Sequence, residues 1–384
     1  MDEPLIKIDK KKDTQESIEF RKETGAAWLE SGSPHMKLEN FDFEKKVLMH
    51  PENIIAYKEG KRPFPITIEI DLTNRCNHNC SFCFYAEHIS VNKDSLDTEI
   101  LKKRLQEAKD LGTKGISFTG GGEPMIHQDY LEILQFTNQL GFDVGTITNG
   151  STITPRNVDV LINNLQWIRI SMAGGDRDSY RKVQGVDQFD KIIENLNLLS
   201  KRKTELKKEI NIGIRTLVTK DNVSTLENFA NLIKDLNINY FQLAPDQYTE
   251  DKGEFWNSEK TQNIFKNVKD ILQSSGISLL STGFLKAQEN LDYPTTCYAH
   301  FFKTAILAEG HFAYCQHARD NEKFYSGNIY NNTLKEIWES PKNKEIEKWV
   351  RPNNCGLFCK HMLINNIMED VMHPNPNMSP NFVG

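Results

Sequence analysis

Three cysteines, Cys76, Cys80 and Cys83, lie within eight residues of one another, directly after the strand-like stretch Pro65–Leu72. Three thiolates in so short a loop can hold three irons of a four-iron cluster and leave the fourth iron without a protein ligand. An iron with an open position can bind a substrate or a cofactor. The residues alone also allow a zinc site, a structural cluster or a chance grouping, although zinc needs a fourth ligand and His78 is poorly placed to supply it.

The overall composition is that of an ordinary globular enzyme. The 384 residues carry a net charge of −6, which argues against a nucleic-acid partner because phosphate binding needs a basic surface. No apolar run approaches the ~20 residues of a membrane span, and the start at Met1-Asp2-Glu3-Pro4 is unlike a signal peptide. Seven cysteines, an odd number, are unsuited to a disulfide framework. We therefore expect a cytoplasmic enzyme with no membrane partner.

From Pro65 onward, short stretches with a period of two alternate with amphipathic helical stretches, which is typical of repeated βα units and a parallel sheet. The predicted strands are Ile66–Leu72, Gly115–Thr119, Asp143–Thr148, Trp167–Met172, Asn211–Val218 and Tyr240–Leu243. Six such units predict an α/β fold, a partial (β/α)6 TIM-like barrel that is open on one side. The predicted domains are a polar, partly helical lead-in (1–62), the barrel (63–285) and a small cysteine-rich α+β domain with a tail (286–384).

The alternation within each strand predicts which side chains face the barrel interior. Glu69 and Asp71 share one face of the first strand, Arg169 and Ser171 one face of the fourth, and Arg215 follows Gly213 on the fifth. Polar groups at the carboxyl ends of barrel strands are typical of site residues. From position alone, the predicted substrate contacts are Glu69, Asp71, Tyr85, His127, Gln242, Asp246 and Arg319.

A second motif, Gly120-Gly121-Gly122-Glu123-Pro124, follows the second predicted strand. Glycines allow the backbone to approach a ligand closely, and the Glu123 carboxylate can pair with an ammonium group. A glycine-rich turn alone is more often a tight loop than a site. Its position one βα unit after the cysteines is what makes it informative.

The spacing C-x3-C-x-Phe-C, followed by this Gly-Gly-Glu-Pro element, resembles the radical S-adenosylmethionine superfamily. The resemblance implies a catalytic [4Fe–4S] cluster on Cys76, Cys80 and Cys83, with S-adenosylmethionine on the open iron. It also implies reductive cleavage to a 5′-deoxyadenosyl radical that abstracts a hydrogen atom, and a reducing partner such as flavodoxin or ferredoxin. The cofactor contacts that it implies are Phe82, Gly120, Gly121, Gly122 and Glu123 (methionyl amine), Ser171 (ribose), Arg215 (methionyl carboxylate) and Leu243 (adenine).

The other four cysteines lie near the C-terminus, as Cys297 and Cys315 around Gly310, and as the pair Cys355 and Cys359. Four thiolates can close a tetrahedral set around a metal or cluster. Together with the segments Ser326–Ile329 and Leu334–Trp338, they resemble the SPASM and twitch extensions. A full SPASM domain carries seven cysteines, so four indicate the shorter twitch form with one auxiliary [4Fe–4S] cluster. Zinc in the same thiolates is the alternative.

The two cysteine sets use all seven cysteines and leave no thiol to quench a substrate radical. We therefore expect an oxidation or dehydrogenation, with the auxiliary cluster as electron acceptor. Residues 1–62 are too short for the peptide-binding domain of many peptide maturases, which favours a small polar metabolite of sugar, aminocyclitol or nucleotide-sugar type. The alternatives are a peptide-modifying maturase, a radical epimerase, a glycyl-radical activator and a non-catalytic iron–sulfur sensor.

Overall fold

A computed structural model of the protein describes residues 45–245, 255, 258–280, 294–319, 321–351, 359 and 361–374. In these residues the strands are β1 (Thr67–Asp71), β2 (Gly115–Thr119), β3 (Asp143–Thr148), β4 (Trp167–Ser171), β5 (Asn211–Val218), β6 (Tyr240–Pro245), β7 (Ser278–Leu280), β8 (Lys303–Ile306), β9 (His311–Ala313) and β10 (Tyr325–Asn328). The α-helices are α1 (Pro51–Lys58), α2 (Ala86–Val91), α3 (Thr98–Asp110), α4 (Tyr130–Gln139), α5 (Val158–Asn164), α6 (Arg177–Gln184), α7 (Phe189–Leu206), α8 (Leu226–Ile233), α9 (Glu259–Gln273), α10 (Leu334–Glu339), α11 (Pro341–Trp349) and α12 (Met362–Met372).

The strands form one ten-stranded sheet in the order β10-β9-β8-β1-β2-β3-β4-β5-β6-β7. Neighbouring strands from β1 to β7 are parallel, and helices connect them in the βα manner expected for such a sheet. Because β7 and β10 are the two edges, the described strands form an open TIM-like arrangement rather than a closed barrel. The predicted α/β fold class is confirmed.

Strand residues alternate between two environments. Ile68 and Ile70 of β1 are fully buried in the layer between sheet and helices, as are Ile168 and Ile170 of β4. The opposite face carries the polar side chains of the same strands and lines the concave interior. Apolar residues on one face therefore secure the helices, which leaves the other face available for chemistry.

The structure contains a parallel strand beyond the six that were predicted. β7 pairs with β6 in parallel and follows α9, so a further αβ unit completes the row of strands. β7 is only three residues long, Ser278–Leu280. A run that short shows too little alternation to be recognised in the sequence.

The C-terminal region is joined to the barrel through the sheet itself. β8 pairs in parallel with β1, with Lys303 opposite Thr67 and Ala305 opposite Glu69, and β9 and β10 continue antiparallel. The lead-in also packs here, because the Tyr57 ring of α1 contacts Phe301 at a centroid distance of 4.7 Å. The first 44 residues of this lead-in, which was predicted to be partly helical, lie outside the described residues.

Candidate active site

The cysteine loop is fixed by contacts on both sides of its thiols. Asn77 donates from Nδ2 to Ser151 Oγ at 2.8 Å, and its own Oδ1 accepts from Asn149 Nδ2 at 2.8 Å, both from the turn after β3. The Asn79 and Ser81 backbone amides donate to the end of α6, at 3.3 and 2.9 Å. A loop held at alternate residues presents Cys76, Cys80 and Cys83 in a defined arrangement.

The thiols of this loop are partly buried and affect one another. Burial raises the pKa of the Cys80 thiol to about 12, and the neighbouring Cys76 and Cys83 contribute to that rise. Three thiolates at such a place need a cationic partner, which iron supplies. The donor set therefore fits a cluster held by three cysteines.

His78 contacts α6 rather than completing a ligand set. Its Nε2 lies 3.2 Å from the Tyr180 hydroxyl of α6, and burial lowers its pKa to about 4, so the ring is neutral at pH 7. The contact with Tyr180 makes His78 part of the loop packing and not a fourth ligand. Among the described residues, no group of three His, Cys, Asp or Glu side chains is arranged to hold a single metal ion.

The glycine motif packs directly against the segment between β1 and the cysteines. A Cβ on Gly120, which has φ of +110°, would lie 1.5 Å from Asp71 Oδ1, and a Cβ on Gly122 would lie 1.8 Å from the Arg75 carbonyl oxygen. The amides of Gly122 and Glu123 donate to the Thr73 and Arg75 carbonyls at 2.9 and 2.8 Å. Glycine is required here because the two loops touch through their backbones.

Glu123 is buried and accepts three hydrogen bonds from the protein. Oε1 accepts from Thr148 Oγ1 at 2.7 Å and from the Met125 amide at 3.0 Å, and Oε2 accepts from the Asn149 amide at 2.7 Å. Oε2 retains acceptor capacity for one more donor. The carboxylate thus joins the end of β2 to the end of β3, and its pairing with the methionyl ammonium remains a prediction.

The other implied cofactor contacts divide into two groups. Ser171 and Arg215 stand opposite each other on β4 and β5 and face the interior, and Phe82 is half-buried in the cysteine loop. Leu243, however, is 1% exposed and shares its face with Phe241, whose ring packs on Phe229 of α8 at 5.3 Å. Leu243 therefore lies between sheet and helices, so this placement argues against the predicted adenine contact.

Four of the predicted substrate contacts meet at the mouth of the barrel. Arg319 Nη2 is 2.7 Å from Glu69 Oε2, and Arg319 Nε is 3.0 Å from Asp71 Oδ2. Lys303 Nζ of β8 pairs with Glu69 Oε1 at 2.6 Å. The Tyr85 hydroxyl accepts a weak bond from Arg319 Nη1 at 3.5 Å.

The two carboxyl groups of this cluster have different proton affinities. Burial opposes ionisation of both, but Lys303 and Arg319 together hold the pKa of Glu69 well below its usual range. For Asp71 burial dominates, and with Glu69 nearby it raises the pKa despite Arg319. Asp71 Oδ1 is buried against Gly120, and the neighbouring Gly121 amide partly offsets the rise in the pKa, so the carboxylate keeps acceptor capacity for a further donor from a ligand.

Replacing Arg319 with methionine should strongly destabilise the protein, because Asp71 and one oxygen of Glu69 would be left buried without their cation. The expected loss in the free energy of unfolding is about 3–5 kcal/mol. Urea denaturation followed by circular dichroism under anaerobic conditions measures it. The matched control is Lys342→Met, which removes an exposed pair with Glu345 and should change stability by less than about 1 kcal/mol. Equal stabilities for the two variants would contradict the assigned ion pairs.

The remaining predicted contacts are not part of this cluster. His127 is buried and structural, with Nε2 2.9 Å from the Leu96 carbonyl oxygen and Nδ1 accepting from the Asp129 amide at 3.2 Å. Gln242 lies on the inward face of β6, opposite Arg215. Asp246 lies outside the described residues.

Glu309, which the sequence reasoning missed, ties the C-terminal hairpin to the cysteine loop. Its Oε1 accepts from Asn74 Nδ2 at 2.7 Å, His88 Nε2 at 2.6 Å and Asn92 Nδ2 at 2.8 Å. Asn74 is two residues before Cys76, so one carboxylate oxygen links the β8–β9 turn to the start of that loop. In the sequence, Glu309 could have been noticed because it immediately precedes Gly310, the glycine between Cys297 and Cys315.

The segments that carry the C-terminal cysteines are also brought together. Cys297 and Cys315 both pack beside the buried Tyr314. The amides of Tyr298 and Ala299 donate to Asn365 Oδ1 of α12 at 2.8 and 2.9 Å, which joins the Cys297 segment to the helix that begins shortly after Cys359. Cys355 lies outside the described residues. The segments of Cys297 and Cys315 thus share one hydrophobic cluster, and an iron–sulfur or zinc set on the four cysteines remains a prediction.

The model of the radical SAM superfamily matches residues 70–233, and the model of an iron–sulfur cluster-binding domain, SPASM, matches residues 297–360. The chain is a radical S-adenosylmethionine enzyme with a SPASM domain. The two family models imply a catalytic [4Fe–4S] cluster, S-adenosylmethionine and an auxiliary cluster, and the residues assigned to these groups remain predictions. The SPASM match confirms the predicted SPASM/twitch-type domain, and the shorter form with one auxiliary cluster remains a prediction from the four cysteines.

Relatives of this radical SAM enzyme include proteins named "Probable GTP 3′,8-cyclase". The one from Saccharolobus islandicus (strain M.14.25 / Kamchatka #1) is 29% identical over 182 residues, which are 46% of this chain and 55% of that protein. The one from Sulfurisphaera tokodaii is 26% identical over 219 residues, 53% of this chain and 63% of that protein. The chain thus spans little more than half the length of these curated relatives.

Solved structures with the same fold include Streptococcus suis SuiB bound to S-adenosylmethionine, with a TM-score of 0.61, 18% identity, and coverage of 91% of this chain and 82% of SuiB. Another is anSMEcpe with bound AdoMet, with a TM-score of 0.54, 21% identity, and coverage of 74% and 83%. At these identities the likeness concerns the fold alone. No helix among the described residues is long and apolar enough to cross a membrane.

Proposed function

We propose that this radical SAM enzyme abstracts a hydrogen atom from a small polar metabolite, of sugar, aminocyclitol or nucleotide-sugar type, and oxidises it. The observation that supports the proposal is the charged cluster of Glu69, Asp71, Lys303 and Arg319 at the mouth of the barrel. When bound, the iron–sulfur cluster and S-adenosylmethionine supply one-electron hydrogen-abstraction chemistry. The chain's own residues must bind and orient the substrate beside that cofactor.

Asp71 is the residue best suited to orient such a substrate. Its Oδ1 is a buried acceptor that lies against Gly120 of the glycine turn, near the Gly121 amide, and it can take a further donor. A substrate hydroxyl or amine that donates to Oδ1 would be held next to the S-adenosylmethionine site. Arg319 and Tyr85 would limit how the substrate can turn, because both border the same carboxylate cluster.

Deuterium transfer tests the substrate class. The anaerobically reconstituted enzyme is incubated with S-adenosylmethionine, a reductant and either the small-molecule or the peptide fraction of a fully deuterated bacterial extract. The proposal expects deuterium in 5′-deoxyadenosine from the small-molecule fraction. Deuterium from the peptide fraction alone would overturn it and favour a peptide-modifying enzyme, an alternative suggested by the structure of SuiB bound to its precursor peptide SuiA.

Replacing Asp71 with asparagine should reduce deuterium transfer from the substrate by at least about tenfold, the effect of losing one charge-assisted hydrogen bond. Unstimulated formation of 5′-deoxyadenosine and the iron content should stay near wild type, because the thiols are untouched. The matched control is Asp110→Asn at the end of α3, a site far along the chain from the cluster. Unchanged transfer in Asp71→Asn would remove Asp71 from the substrate site.

A further inference from the structure

Two arginines on neighbouring strands face the barrel interior. Arg169 of β4 and Arg215 of β5 have no hydrogen bond or ion pair among the described residues, and the Nε atom of each is buried. Both arginines are half-buried, and it is the buried Nε donor of each that loses its hydration without compensation. Two such groups side by side indicate that something negative belongs between or beside them.

The carboxylates across the barrel are already engaged and cannot serve Arg169. Glu69 is within 2.7 Å of both Lys303 and Arg319, and Arg319 also pairs with Asp71. Together with the two arginines, these groups place more cations than carboxylates in the interior. The positive excess lies on the β4–β5 side, at Arg169 and Arg215.

The two arginines lie at different depths in the barrel. Arg215 stands opposite Ser171, the last residue of β4, whereas Arg169 stands opposite Gly213. Two residues along a strand correspond to about 6–7 Å. One carboxylate is satisfied by one bidentate guanidinium, so if Arg215 takes the methionyl carboxylate, Arg169 is left for a second anion.

An aromatic ring lies beside Arg169 in the barrel interior. Gly213 has no side chain, and the Tyr240 ring occupies that space, because a Cβ on Gly213 would lie 2.0 Å from the ring. Burial lowers the pKa of both guanidinium groups, and for Arg215 the nearby Arg169 contributes to the fall, to about 9. An anion bound here would raise the pKa of both guanidinium groups again, because it would stabilise their charged forms.

We propose that Arg169 binds a carboxylate or phosphate group of the substrate, deeper in the barrel than S-adenosylmethionine, and that the substrate is therefore an anionic metabolite. This inference rests on the proposed function and narrows its substrate class. Arg215 remains with the methionyl carboxylate. On the neighbouring strand β6, Tyr240 stands opposite Gly213 and Gln242 stands opposite Arg215, so both residues border the proposed anion site.

Equilibrium dialysis of the full-length, reconstituted enzyme tests the proposal, with labelled inorganic phosphate and labelled acetate as separate probes and S-adenosylmethionine present. We expect saturable binding of one probe in the wild type, and the preferred probe distinguishes a phosphoryl from a carboxylate group. Arg169→Met should weaken that binding at least about tenfold while leaving S-adenosylmethionine binding within about twofold. Arg169→Lys keeps the charge but loses the bidentate geometry, so its affinity for the probe should lie between those of the wild type and Arg169→Met.

Two further variants make the result unambiguous. Arg202→Met removes an arginine that pairs with Asp159 outside the barrel and should leave both ligands unaffected. Arg215→Met should weaken S-adenosylmethionine binding. Arg169→Met should fold, because no hydrogen bond or ion pair is lost among the residues that the structure describes, and the visible absorbance of the clusters checks this.

Either of two outcomes would overturn the inference. One is the absence of saturable phosphate or acetate binding to the wild type. The other is an Arg169→Met variant that loses S-adenosylmethionine as strongly as Arg215→Met does, which would mean that both arginines hold the methionyl carboxylate. Failure of the proposed function would be seen separately, as absence of 5′-deoxyadenosine formation in wild-type protein without any probe.

Discussion

Cys80→Ala should abolish the formation of 5′-deoxyadenosine in the reconstituted enzyme. Cys80 is the central thiol of the three, and removing it leaves the catalytic cluster with only two protein ligands. The loop itself should stay in place, because the amides of Asn79 and Ser81 still bond to the end of α6. Anaerobic incubation with dithionite and S-adenosylmethionine, followed by chromatography of the nucleoside products, measures the effect.

The control for this experiment lies next to the mutated residue. Ser81→Ala removes only a hydroxyl that donates to the Val183 carbonyl oxygen at 3.2 Å, and it should cleave S-adenosylmethionine at close to the wild-type rate. Circular dichroism of both variants should match that of the wild type. Normal cleavage by Cys80→Ala would refute the assignment of the catalytic cluster to this loop.

Replacing Cys315 and Cys359 together by alanine should halve the iron content. Wild-type enzyme should contain about eight irons per chain, the sum for two four-iron clusters on cysteine sets of this kind, and the double variant about four. Cleavage of S-adenosylmethionine should survive, since Cys76, Cys80 and Cys83 are intact. Substrate-dependent product formation should be lost, because the proposed oxidation would lack its electron acceptor.

Elemental analysis also separates a cluster from zinc in the C-terminal set. Anaerobically purified wild-type protein is analysed for iron and zinc by mass spectrometry, with Cys80→Ala as the complementary variant that should retain only the auxiliary irons. One zinc and about four irons in the wild type would contradict the two-cluster interpretation. The proposed oxidation would then lack its acceptor, whereas hydrogen abstraction would be unaffected.

The parts of this fold that depend on local patterns were predictable. β2, β3 and β5 have the predicted bounds, whereas β4 is one residue shorter at its end and β1 is one residue shorter at each end. The inward placement of Glu69, Asp71, Arg169 and Arg215 also follows from counting in twos along a strand. The same counting places Leu243 on the outer face. Tyr240 points inward, because its ring fills the space at Gly213, and a residue three positions further along the strand points the other way.

The partners of those inward groups were not predictable in the same way. Lys303 and Arg319 reach Glu69 from the far end of the chain, and Glu309 reaches Asn74 across a similar interval. Whether a carboxylate binds a ligand or a neighbouring chain segment depends on which donors the fold brings within about 3 Å of it. Glu123, saturated on one oxygen by Thr148 and Met125, is the clearest case.

The cysteine loop, the glycine turn and the strand alternation follow from the residues alone, and with them the class of cofactor chemistry. These features are local, because metal ligation and strand faces depend on residue type and on spacings of a few residues. Three features appear only in the folded chain: β8 joins β1, Arg319 pairs with the carboxylates at the barrel mouth, and Arg169 and Arg215 have no hydrogen bond or ion pair among the described residues. Charge pairing is decided by distance in space, and residues far apart in sequence carry no local signal of that distance.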